Sequence, residues 1–218
     1  MATKKVIKKN SLKNGFLVPD NESSTAAKFD KGLSKIKEKR EIKEKSWYIF
    51  VLSFLSNAKN GCDFLINAKR LDDNNKYLLI SVIYNFKHGL EVFVKTFSRY
   101  LNEKVDKSDH FHDTKTLLET FKKQLKSKNK KELDSEVDKL EKLIEKYNEI
   151  DFLRNYLKES FSIYDQKNTF FKYPEHEAMV IVDYSKLSNQ VGRSDMEKIK
   201  KDIENVIKIS KKFKNILS

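Results

Sequence analysis

A mainly α-helical fold, an up-and-down bundle of about five helices, is what this sequence predicts. Three observations carry that expectation. The 218 residues include only 5 Gly and 2 Pro, too few turn formers for a sandwich or barrel that needs a turn every few residues. Apolar residues recur at spacings of three and four over long stretches, which is the helical period. Charged residues make up 35% and hydrophobic ones 39%, a balance suited to long solvated helix faces around one core.

Taken in order, residues 1–33 read as a flexible basic N-terminal arm. "MATKKVIKKN" and "PDNESSTAAKFDKG" are polar, carry one of the prolines, and sustain no period. A single helical domain over 34–218 follows. Its first helix runs from Ser34 to about Arg70, opening with the charged "KIKEKREIKEK" and turning apolar in "WYIFVLSFL"; Gly61 within it marks a kink or a close approach to a neighbour. "DDNN" makes the next turn. The second helix, Lys76 to about Asn102, carries Leu79, Val82, Ile83, Phe86, Leu90, Phe93, Val94 and Phe97 as one stripe. Leu78, Ile80 and Tyr84 lie outside that stripe, so this helix is expected at the centre of the bundle.

A shorter helix covers Thr114 to Leu125, with Asp113 as its N-cap and Leu117, Leu118, Phe121 and Leu125 inward. After a lysine-rich turn, Leu133, Val137, Leu140, Ile144 and Tyr147 alternate at four and three, a seam that the sequence continues through Phe152, Leu153, Tyr156 and Leu157. Residues 161–188 break the pattern and are expected to hold an irregular insert or a short hairpin of "NTFFKY" against "AMVIVDY". "SDME" at 194–197 reads as a capping box, Ser194 capping and Glu197 reaching back, ahead of a last helix with Met196, Ile199, Ile203, Val206, Ile207 and Phe213 inward.

The formal net charge of +13 points to anionic partners, nucleic acid foremost. Thirteen basic and 6 acidic residues lie at or before Ser46, so +7 of the +13 sits in the arm and the first helical turns. Within the arm, Lys4, Lys5, Lys8 and Lys9 are candidate nucleic-acid contacts, and Lys208, Lys211 and Lys212 are candidates on the last helix. Only five of the cations are arginines, so phosphate attraction is expected rather than bidentate base reading. No apolar run reaches the length of a membrane span, the basic N-terminus lacks a signal-peptide core, and Cys62 stands alone. The expectation is a cytoplasmic protein without membrane contact and without a cofactor.

Catalytic motifs are sparse. His110 and His112 in "DHFHD" offer two metal ligands where a site takes three or four, so they read as loop histidines and no metal is expected. His88 reads as a satisfied mid-helix histidine and Cys62 as a small core residue.

"YNFKHGLEVFVKTFSRYL" (84–101), "HFHDTKTLLETFKKQL" (110–125), "DFLRNYLKES" and "NTFFKYPEHE" together resemble the HEPN superfamily, helical bundles of prokaryotic toxin, defence and RNA-processing systems. The resemblance covers about residues 40–215. It implies a bundle that self-associates as a homodimer, with RNA or a protein as further partner. Family members that cleave RNA use Arg, four to six residues, then His. Here Arg154-Asn155 begins that motif, but Glu159, Ser160 and Phe161 stand where the histidine belongs. Lys172 and His176 are the nearest substitute. The expected function is therefore a non-catalytic interaction module, with RNA as an additional ligand, in a defence or toxin–antitoxin setting. One alternative is a metal-independent endoribonuclease using Arg154, Lys172 and His176, the cation holding the phosphate and the histidine moving the proton. Another is a plain basic nucleic-acid-binding protein. For the dimer surface, the sequence offers the Leu133–Leu157 seam or the apolar half of the first helix.

Overall fold

The computed structural model describes residues 22–68, 73–101, 113–148 and 192–217. Among these, five α-helices and one short 3-10 turn make an all-α architecture: α1 (Glu22–Asn67), α2 (Asp73–Leu101), α3 (Thr114–Ser127), the turn Lys131–Leu133, α4 (Asp134–Asn148) and α5 (Arg193–Leu217). The expected hairpin at 161–188 and the seam beyond Asn148 lie outside the described residues.

The chain divides into two units, Met1–Lys43 and Glu44–Ser218, and α1 runs through the division. In the first unit, α1 begins at Glu22, inside the span read as arm, and residues 34–43 are exposed throughout. The second unit holds the core.

Within that unit α2 is the central helix, as its apolar excess predicts. Its whole expected stripe is buried, Leu79 through Phe97. So are Lys87, Glu91, Lys95, Thr96 and Ser98, polar positions that periodicity alone assigns to solvent. Lys95 Nζ lies 2.5 Å from Glu91 Oε1, and His88 Nδ1 lies 3.4 Å from Glu91 Oε2. A buried carboxylate needs such partners, because desolvation without one costs several kcal/mol.

Two glycines let α1 and α2 approach closely. A Cβ on Gly61 would sit 2.5 Å from Val82 Cγ2, and one on Gly89 would sit 3.0 Å from Leu55 Cδ2. These paired positions make the two helices antiparallel. Of the two readings open for Gly61, the structure selects close packing.

α3 starts at Asp113, whose Oδ1 accepts from the amides of Lys115 and Thr116 at 3.0 Å each. It ends in a Schellman-like arrangement: Asn129, at φ 54, takes the left-handed conformation. Its amide donates to Lys126 O, and that of Lys130 to Leu125 O, both at 3.1 Å. Leu133, Val137, Leu140, Ile144 and Tyr147 all bury against the core, so this stretch of the seam is intramolecular. An aromatic cluster closes the interior, with Phe213 of α5 5.3 Å from both Phe93 and Phe97 and 5.6 Å from Phe121.

The α5 start corrects the expected capping box. Ser194 lies inside the helix, and the cap is Gly192, whose amide donates to Asp195 Oδ2 at 3.1 Å. Asp195 therefore plays the part assigned to Glu197, because the helix begins two residues earlier than the Ser-x-x-Glu spacing implies. On the inner face Ile209 is buried, while Ile207 is only partly so.

Two stability measurements check this packing. Gly61→Ala lowers unfolding free energy by about 1 kcal/mol in denaturant titration, since overpacking at Val82 outweighs the gain in helix propensity. A rise in stability would show that α1 and α2 are not in close contact there. Phe213→Ala costs about 3–5 kcal/mol in the same assay.

Candidate nucleic-acid interface

Of the residues singled out in the sequence, Lys4, Lys5, Lys8, Lys9, His110, His112, Arg154, Lys172 and His176 lie outside the described residues. Lys208, Lys211 and Lys212 are on α5, and two of them enter a groove.

α4 and α5 run antiparallel, held at two levels. Lys146 Nζ and Tyr147 Oη both donate to Asp202 Oδ2, at 2.7 and 2.9 Å, and Lys212 Nζ lies 2.7 Å from Glu136 Oε1. Lys130 Nζ adds a bond to Ile216 O at 3.3 Å, tying the turn after α3 to the C-terminus of α5. Between these clamps lies a groove of about 500 Å³. Its walls are Glu136, Lys139 and Lys142 from α4 and Asn205, Lys208 and Lys212 from α5; Leu143 and Ile209 supply apolar surface.

Helical spacing explains the convergence. Lys139 and Lys142 are three apart on α4, and Asn205, Lys208 and Lys212 recur at three and four on α5, so each set shares a face. From Asn205 to Leu217, α5 carries Lys208, Lys211, Lys212 and Lys214 and no acid.

Four lysines thus face one carboxylate. Glu136 is mostly buried, and its hydrogen bond from Lys212 holds its carboxyl below the usual carboxylate range. Lys139 is 3.9 Å from the same oxygen, a weak exposed contact. Among the described residues, Lys142 and Lys208 have no anionic partner. Their stems can lie on the apolar surface while the ammonium groups reach an anion in the groove.

Lys139, Lys142 and Asn205 are not legible in the sequence as site residues. The stretch from Lys128 to Lys146 balances its charges and reads as a solvated face; only pairing with α5 makes two of its lysines one wall of a groove. Lys211 is exposed and does not line the groove.

Elsewhere, Cys62 is buried in α1, and burial, seconded by Asp63, pushes its thiol up to about 12, which makes it inert as a nucleophile. His88 packs edge-on to Phe54 at 4.6 Å and stacks on Tyr84 at 5.7 Å. Among the described residues no three of His, Cys, Asp or Glu gather as a metal-ligand set, and no helix is long and apolar enough to cross a membrane.

Among the described residues, two carboxylates held below their usual range, Asp63 and Glu136, contribute to the acid response. Asp63 is held down first by its hydrogen bonds to Lys200 and Lys59, and Glu136 by Lys212. Both have lower pKa values folded than unfolded, so their stabilisation is present above the unfolded value, about 4, and is lost as pH falls through the folded one. The melting temperature is expected to drop below pH about 4, with a shallower drop in Asp63→Asn. Identical profiles for the two proteins would refute this origin.

No family model matches the chain, and neither does a curated protein or a solved structure.

Proposed function

We propose that this protein is a non-catalytic helical module that binds RNA through the α4–α5 groove, in a prokaryotic defence or toxin–antitoxin type of system. The observation that carries the binding is the groove itself: four lysines, one neutralised carboxylate and an apolar floor. Lysines without bidentate geometry attract phosphate backbone and read no sequence. The net charge of +13 adds long-range attraction for any polyanion. The setting rests on the HEPN resemblance, and the non-catalytic reading on the missing histidine after Arg154.

Anisotropy titration of a labelled single-stranded RNA, in EDTA and over a salt series, tests the proposal. Wild-type binding weakens steeply with salt, by counterion release. Lys142→Glu with Lys208→Glu weakens it by about tenfold or more and flattens the salt slope by about two. The same charge change at Lys115 and Lys123 on α3 has a smaller effect. Equal losses in both double variants would leave only diffuse charge attraction and remove the groove from the reading. Cleavage of the RNA in EDTA that disappears in His176→Ala would replace the non-catalytic reading with the nuclease one.

A further inference from the structure

We infer that Glu136 sets where a bound polyanion lies in the groove and how tightly it is held, by keeping Lys212 from the ligand and confining phosphate to Lys142 and Lys208. This rests on the RNA reading above and adds to it a residue of opposite charge.

The carboxylate sits beneath the cations. Its side chain is 13% exposed, while those of Lys212 and Lys139 are 46% and 62% exposed. Lys212 lines the groove and is reachable from solvent, so by position it is a phosphate contact. Its charge, however, is engaged by Glu136 Oε1 at 2.7 Å. The other oxygen, Oε2, is buried and has no hydrogen-bond partner. Lys139 adds only its exposed 3.9 Å contact to Oε1. Glu136 therefore depends on Lys212. A phosphate that drew Lys212 away would leave a mostly buried carboxylate unpaired, a larger loss than one solvent-exposed phosphate contact returns. Neither does the carboxylate escape by protonation at neutral pH. It lies in the first turn of α4, where the helix dipole favours an anion.

Position along the two helices then sets the register. Glu136 and Lys212 face each other at one end of the groove. Lys142 lies six residues farther along α4, about 9 Å of helix rise. Lys208 is one turn from Lys212 on the antiparallel α5, displaced in the same direction. A phosphate chain thus meets two uncommitted cations at one end and a compensated pair at the other. Asn205, beside Lys142 in the groove wall, adds a neutral donor at the cationic end.

Anisotropy titration of the full chain with the labelled single-stranded RNA, over a salt series, tests this. Glu136→Gln keeps the side-chain size and an acceptor for Lys212 while removing the charge. It is expected to tighten binding about fivefold and to steepen the log–log salt slope by about 0.7, the increment of one further phosphate contact. Adding Lys212→Met to Glu136→Gln abolishes that gain, because the gain runs through Lys212. Glu141→Gln also removes one charge from α4, but outside the groove, where Glu141 pairs with Lys122 of α3, and its gain is much smaller. Circular dichroism is expected to show wild-type helix content in all three variants. Equal gains at Glu136 and Glu141, an unchanged slope in Glu136→Gln, or a gain that survives Lys212→Met would each overturn the inference and leave the groove in place. Binding that is indifferent to Lys142→Glu with Lys208→Glu removes the groove reading, and the inference with it.

Discussion

The close approach of α1 and α2 at Gly61 and Gly89 is the constraint on which the second unit depends. With glycine at both crossings, the backbones meet at a separation that Val82 and Leu55 fill completely. That leaves α2 enclosed along most of its length, so its opposite face must be covered by α3, α4 and α5. The aromatic cluster of Phe93, Phe97, Phe121 and Phe213 follows from the same enclosure. Ring edges and faces from three helices fill volume that a looser α1–α2 contact would leave to solvent.

Enclosure also explains the polar residues inside. Lys87, Glu91 and Lys95 recur every four residues on one face of α2, a spacing that on an exposed helix gives a weak ion-pair ladder. Once buried, the same ladder must be satisfied, and Glu91 accordingly lies against Lys95 and His88. The pattern of residues is ordinary; burial changes its energetic meaning.

The groove between α4 and α5 is a consequence of how those helices are clamped. Tyr147 is buried, its hydroxyl pushed well up by burial and by Asp202, so it stays a hydrogen-bond donor and holds α5 at one level. Glu136 and Lys212 hold the other. Between the clamps the walls carry lysines on both sides, and the one carboxylate among them, Glu136, is already engaged by Lys212.

Much of the architecture is legible in the order of residues. The α2 stripe, the Leu133–Tyr147 seam and the Asp113 cap follow from short-range periodicity and from one side chain reaching its own helix. The α5 start is not legible, because Ser-x-x-Glu and Gly-x-x-Asp compete within two residues and local spacing cannot rank them. Lys208 and Lys212 stand out as cations, but Lys139, Lys142 and Asn205 join them only across a helix pair. The role of the first helix's apolar half is equally open in the sequence: Leu55 and Phe50 look alike there, and one is buried while the other is exposed. Which cations converge, which polar groups are buried and which aromatics remain uncovered are set by contacts between helices distant in the chain. Periodicity records only the face a residue shares with its neighbours three and four positions away.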